Sequence, residues 1–211
     1  MPVDRGDVLA WFAELRRVYA ANRERLTELD SAIGDADHGT NMDRGFTAVN
    51  AELAKVGAAE IGAVFKLAAV TLIKTVGGAS GPLYGTFFLR AGAECASKGK
   101  LDAADLAAMF RAGIEGVVQR GKASLEDKTM LDALLSARDA IDSSLAAGAT
   151  IGEIFAQAAA AAEKGMLATV PMQARKGRAS YLGARSIGHQ DPGATSSYLL
   201  LRAAADVWRS A

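Results

Sequence analysis

The apolar residues of this chain recur at intervals of three and four positions, and no stretch alternates steadily between apolar and polar residues. Intervals of three and four place apolar side chains on one face of an α-helix, whereas strict alternation would favour a β-strand. Alanine and leucine are abundant and β-branched runs are scarce, which also favours helices. The pattern therefore predicts an all-α fold.

About eight helices follow from the apolar stripes and from the residues that begin or end helices. The first is expected to run unbroken from Val8 to Leu29. The expected N-caps are Asp7 for the first helix, Asp102 for the fifth, Thr150 (with Glu153 as a capping box) for the seventh, and Asp191, followed by Pro192, for the eighth. Asp127 is expected to precede the sixth helix.

Most of the predicted connections are short, so neighbouring helices should be antiparallel and form an up-and-down bundle. Four polar or glycine-rich connections, residues 30–41, 77–82, 121–130 and 175–193, each join an odd-numbered predicted helix to the next one. In such an array these connections lie at the same end. No linker or internal repeat interrupts residues 1–211, so we expect a single domain with one site at that end.

Three aspartates, Asp30, Asp35 and Asp37, fall within eight positions at the end of the first predicted helix. Carboxylates held so close together repel one another unless a cation lies between them. Oxygen ligands without a nearby cysteine favour magnesium or calcium over zinc. Magnesium typically combines one or two carboxylates with substrate phosphates, so the loop is expected to bind a metal–phosphate compound.

Two other interpretations of the aspartates compete with this one. Aspartates near helix ends commonly act as caps or as solvated turn residues. A calcium-binding EF-hand loop also opens with Asp-x-Asp, but its twelfth position requires glutamate. That position is Phe46 when counted from Asp35 and Asn41 when counted from Asp30, so the EF-hand is excluded.

The other connections have features of a phosphate site. His38 to Asn41 begins a helix, where free backbone N–H groups bind anions. Gly78-Ala79-Ser80-Gly81 precedes another helix and permits close approach of a ligand to the backbone. Arg175, Lys176 and Arg178 offer positive charge, although such residues are equally typical of a solvated loop. Residues 116–123 resemble a P-loop but have Ala123 in place of Ser or Thr, and we reject that assignment.

Composition excludes several function classes. The 24 basic and 24 acidic residues balance, so no overall field attracts nucleic acid or an acidic membrane. No segment has the apolar core of a signal peptide or the length of a membrane span. The single cysteine, Cys95, fits a reducing compartment. These observations predict a cytoplasmic protein.

The motifs of these connections together resemble the nucleotide-binding L subunit of the dihydroxyacetone kinases. The resemblance covers essentially the whole chain and rests on four blocks in the same order, namely Leu29–Met42, Gly77–Gly85, Asp127–Met130 with Gly177–Gly183, and Gly188–Ala194. Glu126-Asp127 stands where many relatives have Gly-Asp.

The resemblance implies an eight-helix antiparallel barrel with ADP or ATP bound at one end. It implies that Asp30, Asp35 and Asp37 hold two magnesium ions and that residues 170–190 form a lid. By the same resemblance, the nucleotide contacts are His38, Gly39, Thr40, Asn41, Ala79, Ser80, Gly121, Met130, Arg178, Asp191, Pro192 and Gly193. No general base is expected on this chain.

The resemblance also implies partners, because this family binds dihydroxyacetone on a separate K subunit. In the phosphoenolpyruvate-dependent type, a phosphotransferase M subunit rephosphorylates a retained ADP, and the length of this chain favours that type. A homodimer or a hetero-oligomer is expected. Two alternatives remain open at this point: an ATP-dependent kinase subunit for another ketose or a fatty acid, and an ADP-bound regulator of a transcription factor.

Overall fold

The computed structural model describes residues 1–57 and 59–211, and almost all of its regular structure is helical. The two short strands, β1 (Val3–Asp4) and β2 (Lys100–Leu101), pair antiparallel. The helices of the described residues are α1 (Arg5–Ala21), α2 (Arg23–Ile33), α3 (His38–Leu53), α4 (Ile61–Thr75), α5 (Ser80–Glu94), α6 (Ala103–Gly121), α7 (Met130–Ala146), α8 (Ile151–Ala168), a 3-10 helix (Arg178–Ser186) and α9 (Pro192–Val207). The prediction of an all-α fold is confirmed.

The first predicted helix is in fact two helices, α1 and α2, which are separated at Asn22. The side-chain amide of Asn22 donates a hydrogen bond to the carbonyl of Val18 at 2.8 Å, and its backbone leaves the helical region. Asparagine competes with the helix for backbone partners in this way. The break explains why the described residues contain nine α-helices rather than the predicted eight.

One of the predicted N-caps is also wrong. Asp4, not Asp7, caps α1, and Asp7 occupies the third helical position of the capping box. Asp127 precedes α7 as expected, and Thr129 is the N-cap of that helix, whereas the carboxylate of Asp127 accepts a hydrogen bond from the amide of Ser124 within the preceding turn. The caps at Asp102, Thr150 and Asp191 are confirmed.

An aromatic cluster occupies the centre of the core. The ring of Trp11 in α1 lies 5.1 Å from that of Trp208, which follows α9, and both side chains are buried. Trp11 also contacts Phe65, Phe88 and Phe110, which belong to α4, α5 and α6. Burial of side chains this large is a dominant favourable contribution to folding. The cluster therefore joins the two ends of the chain to its middle.

Helices that follow one another from α3 to α9 pack side by side, and α1 packs against both α3 and α9. This order of neighbours brings the turns after α2, α4, α6 and α8 to one region, which is described below. The barrel implied by the resemblance stays a prediction. Among the described residues, no helix combines the length and the apolar character needed to cross a bilayer.

Candidate functional site

A cleft of about 880 Å³ lies where four separate connections meet. Its volume is in the range of pockets that enclose small molecules. The walls are formed by the turn between α2 and α3, the Gly77–Pro82 region, the end of α6 with the start of α7, and the segment from Arg175 to Gly193. The expectation that these connections lie together is confirmed.

The three aspartates predicted as metal ligands lie on one wall of the cleft. Asp30 is buried in α2, whereas Asp35 and Asp37 are exposed in the turn that follows. One carboxylate oxygen from each of the three lies within 4.8 Å of the others. A Cβ atom added to Gly34 would come within 1.9 Å of Asp30 Oδ1, so glycine is required there.

Asp30 also organises the turn that carries the other two carboxylates. Its Oδ2 accepts hydrogen bonds from the backbone N–H groups of Asp37 at 2.9 Å and His38 at 3.1 Å. Asp30 thereby caps the N-terminus of α3. Of the amides expected to bind an anion, that of His38 is therefore already used, and that of Asn41 donates to the carbonyl of Asp37. The amides of Gly39 and Thr40 are the remaining ones of that first turn.

The geometry of this cluster fits a hard divalent cation. Three convergent carboxylates carry a concentrated negative charge, and the guanidinium of Arg178 lies against them, with Nη2 2.9 Å from Asp35 Oδ2. Carboxylate oxygens are the ligands that magnesium and calcium prefer. These residues can therefore hold a magnesium ion, whose charge would offset the repulsion among them.

His38, the first residue of α3, joins three helices through hydrogen bonds. Its Nε2 lies 2.9 Å from the hydroxyl of Ser196 in α9, and its Nδ1 lies 3.2 Å from the hydroxyl of Ser80 in α5. Burial lowers the pKa of His38, and the charges of Asp30 and Asp37 offset part of that effect. His38 thus lines the cleft as a neutral group that fixes the position of Ser80.

Predicted nucleotide contacts occupy different places relative to this cleft. Nine of the twelve predicted contacts line it, namely His38, Ala79, Ser80, Gly121, Met130, Arg178, Asp191, Pro192 and Gly193. Gly39, Thr40 and Asn41 are not among the lining residues. Gly39 packs against α2, where an added Cβ would lie 2.0 Å from the carbonyl oxygen of Arg23. Asn41 is buried, and its side chain lies against Gly77.

Asp191 lies at the inner end of the cleft and caps α9 by accepting a hydrogen bond from the amide of Ala194 at 2.7 Å. Burial raises the pKa of this carboxyl from 3.8 to about 7. The charges of Asp132 and Asp30 contribute to this rise in pKa, whereas the hydrogen bond from Ala194 and the charge of Lys128 oppose it.

Lys128 also lines the cleft, although its position in the sequence does not indicate a role there. It is only 1% exposed, and its ammonium donates to the carbonyls of Thr169, Met172, Ser186 and His189. A single lysine in a polar turn usually extends into solvent, so the sequence carried no local signal of this burial. All four acceptors lie more than forty positions away.

The segment between α8 and α9 covers one side of the cleft. Arg175, Lys176, Arg178 and Tyr181 line the cleft, and the side chain of Tyr181 is 88% exposed. Gly177 has a φ of 68°, which a residue with a side chain rarely adopts, and it precedes the 3-10 helix. The segment thus brings three cationic side chains to the cleft that the aspartates also line. The protein is helical, and its site suits a metal-bound phosphate compound.

Comparison with known proteins agrees with that class. Residues 32–206 match the DAK2 domain family. The chain is 43% identical to the PEP-dependent dihydroxyacetone kinase, ADP-binding subunit DhaL, of Escherichia coli (strain K12), over 96% of both chains. It is 39% identical to the corresponding subunit of dihydroxyacetone kinase 1 of Listeria innocua, again over 96% of both chains. The chain therefore belongs to the DAK2 domain family, in the group of the DhaL subunits.

A solved structure shares the fold. The dihydroxyacetone kinase of C. freundii in complex with AMP-PNP and Mg²⁺ superposes with a TM-score of 0.71, at 23% sequence identity. The match covers 98% of this chain and 34% of that chain. The likeness shows that the helical fold of this chain also occurs as one part of a longer kinase.

Proposed function

We propose that this chain is the ADP-binding subunit of a phosphoenolpyruvate-dependent dihydroxyacetone kinase, and that it binds magnesium and ADP or ATP in the cleft. The observation that carries the proposal is the convergence of three carboxylates, within 4.8 Å of one another, on a cleft lined by basic residues. The near full-length similarity to named DhaL subunits supports the same assignment.

The proposed ligands of two magnesium ions are Asp30, Asp35 and Asp37. Bound magnesium supplies charge neutralisation for the β- and γ-phosphates during transfer. The first turns of α3 and α5 contribute backbone N–H groups that bind phosphate oxygens. The proposed nucleotide contacts in these two turns are His38, Gly39, Thr40, Asn41 and Ser80. The proposed contacts elsewhere are Ala79, Gly121, Met130, Arg178, Asp191, Pro192 and Gly193.

Catalysis on this chain consists of positioning and electrostatic stabilisation. Arg178 carries a planar guanidinium that can bind a phosphoryl group through two hydrogen bonds. The lid, residues 170–190, limits the access of water to the cleft. We assign no general base to this chain, because the attacking hydroxyl belongs to the sugar on the partner subunit.

The proposed reaction requires partners. A K subunit holds dihydroxyacetone and accepts the phosphoryl group, and an M subunit of the phosphotransferase system rephosphorylates ADP that stays bound to this chain. The designations PEP-dependent and PTS-dependent of the relatives from Escherichia coli and Lactococcus lactis support this scheme. One apolar core that joins α1 to α9 supports a single domain over residues 1–211.

Two measurements test the proposed function. Nucleotide analysis of the untreated purified protein should find bound ADP at close to one equivalent. Reconstitution with a K subunit, an M subunit and its phosphoryl donor should then yield dihydroxyacetone phosphate. The Asp35→Asn and Asp37→Asn variants should lose both properties. Purified protein without nucleotide, combined with no transfer after addition of magnesium and ADP, would contradict the proposal.

A further inference from the structure

The ammonium of Lys128 is held in a cage of backbone carbonyls at the inner end of the cleft. Its Nζ lies 2.8 Å from the carbonyl oxygen of Thr169, 3.0 Å from that of Met172 and 2.7 Å from that of Ser186, and it also donates to the carbonyl of His189. An ammonium has three N–H donors, so four acceptors saturate it.

The four carbonyls come from the two ends of the lid. Thr169 is the C-cap of α8 and Met172 lies in the turn that leaves it, whereas Ser186 ends the 3-10 helix and His189 precedes α9. The free carbonyls at a helix C-terminus carry partial negative charge, which favours a cation there. Lys128, from the turn before α7, therefore connects the segment that follows α8 with the segment that precedes α9.

Other hydrogen bonds connect the same two ends. The amide of Gly188 donates to the carbonyl of Val170 at 2.8 Å, and the amide of Ala174 donates to the hydroxyl of Ser186 at 2.9 Å. Beyond these contacts the lid extends outward to Arg178, whose side chain is 61% exposed where it pairs with Asp35. The lid thus has a tightly bonded base and an exposed tip.

We propose that Lys128 is a positioning residue for the nucleotide site, because its ammonium fixes both ends of the lid and thereby places Arg178 over the aspartates. The inference rests on the proposed function, since it assigns the lid a role in holding the nucleotide. Lys128 acts through the lid backbone and through Arg178.

The chemistry of the cage explains why lysine is suited to this position. An ammonium is a compact charge whose donors can point to several carbonyls around one point, whereas a guanidinium is planar and directs its donors in a fixed fork. A neutral side chain such as methionine would remove the ammonium from all four carbonyls. The carbonyl of Thr169 would keep the amide of Met172 as a donor, whereas loss of the ammonium at the buried Ser186 would cost free energy. Lys128→Met and Lys128→Arg should therefore both loosen the base of the lid.

The test is a double-mutant cycle on the full chain, with the dissociation constant of magnesium-ADP measured by calorimetry for wild type, Lys128→Met, Arg178→Ala and the double variant. We expect Lys128→Met to weaken binding about tenfold, and to add less than about twofold in the Arg178→Ala background. The two effects are not additive because both act on the same contact. Equal weakening in both backgrounds, or no weakening, would overturn the proposal.

Amide hydrogen exchange provides a second readout. In Lys128→Met without ligand, residues 172–188 should exchange faster while the helices of the core keep their protection. Ser144→Ala is the matched control, because Ser144 is buried and hydrogen-bonds to Gln157 between α7 and α8, away from the lid. It should lower stability without changing exchange in the lid or the affinity for magnesium-ADP.

The outcomes separate this inference from the proposed function. If wild type does not bind magnesium-ADP, the proposed function fails. Hydrogen exchange is measured without ligand, so unchanged exchange of the lid amides in Lys128→Met would by itself overturn the role of Lys128. If Lys128→Met does not fold, Lys128→Arg takes its place in the cycle and in the exchange measurement. Wild-type lid protection together with wild-type affinity in Lys128→Arg would then overturn the proposal.

Discussion

Arg178 in the lid and Asp35 in the aspartate turn form an ion pair across the cleft, with Arg178 Nη2 2.9 Å from Asp35 Oδ2. The guanidinium therefore neutralises one of the carboxylates that we propose as metal ligands. A metal ion at that position has to compete with Arg178, and the guanidinium it displaces becomes free to bind phosphate. The same residue should thus oppose metal alone and favour metal with nucleotide.

The first prediction concerns the opposite effects of Arg178 on the affinity for magnesium alone and on the affinity for magnesium-ADP. Arg178→Ala should bind magnesium alone more tightly than wild type does, because the competing cation is removed. It should bind magnesium-ADP more weakly, by about 1.5–3 kcal/mol for a lost charge-assisted hydrogen bond. Arg178→Lys should retain most of the affinity for magnesium-ADP yet transfer phosphate more slowly, because lysine lacks the planar fork. Calorimetric titration of both variants and a reconstituted transfer assay measure these effects, and affinities changed in the same direction for both ligands would contradict the competition.

The second prediction concerns the metal ligands. Asp35→Asn or Asp37→Asn should weaken binding of magnesium-ADP by about 2–5 kcal/mol, because each removes one partner of a close charge pair. Both variants should keep their helical circular dichroism, since these residues are exposed and lie outside the core. Glu115→Gln is the control, because it also removes one negative charge, at an exposed position on α6. It should bind magnesium-ADP as wild type does. Unaltered affinity in both aspartate variants would remove them from the metal site.

The third prediction concerns the stability conferred by ligands. Magnesium and ADP together, at about a hundredfold excess over the dissociation constant, should add about 2.7 kcal/mol to the free energy of unfolding. For a chain of this size that corresponds to a rise in Tm of about 5–10 °C. Either ligand alone should have little effect, and a chelator should abolish the joint shift. Differential scanning calorimetry decides the matter, and a shift by ADP that persists in chelator would show that the metal does not bridge the phosphates.

The fourth prediction concerns pH. Because burial raises the pKa of Asp191 to about 7, the folded protein binds a proton that the unfolded chain releases between about pH 4 and pH 7. The contribution of this group to stability is therefore complete below pH 4 and decreases as pH rises through that window, by up to about 4 kcal/mol. Asp191→Asn should show a smaller decrease between pH 5 and pH 8, since asparagine also caps helices but does not titrate.

Denaturant unfolding of the ligand-free protein at several pH values measures this difference. Asp139→Asn, at an exposed position on α7, is the control and should leave the pH profile unchanged. Profiles of wild type and Asp191→Asn that run parallel from pH 5 to pH 8 would show that Asp191 does not titrate in this range.

Local patterns in the sequence were sufficient for most of the secondary structure. The three-and-four spacing of apolar residues, the capping box at Thr150 and the Asp191-Pro192 start of α9 each depend on residues within one or two helical turns. The aspartates could be found in the same way, because their clustering is a local feature whose electrostatic cost is evident without a structure.

Other features of the site depend on residues that are far apart in the sequence. His38 pairs with Ser196, which lies 158 positions away, and Lys128 reaches His189 across 61 positions. Nothing near Lys128 in the sequence distinguishes it from an exposed lysine, since its burial follows from carbonyls that the lid brings to it. The break at Asn22 has a local cause instead. The apolar stripe continues through this asparagine, but its side chain bonds to Val18, four positions earlier, and ends α1.

The sequence by itself thus determined that the protein is helical, where most helices begin, and which carboxylates, glycines and cations gather in its connections. Only the tertiary structure decided that Asp30 caps α3, that Arg178 pairs with Asp35, and that a buried ammonium closes the base of the lid. The reason is physical: helix formation and capping depend on neighbouring residues, whereas burial and partner choice depend on how distant helices pack.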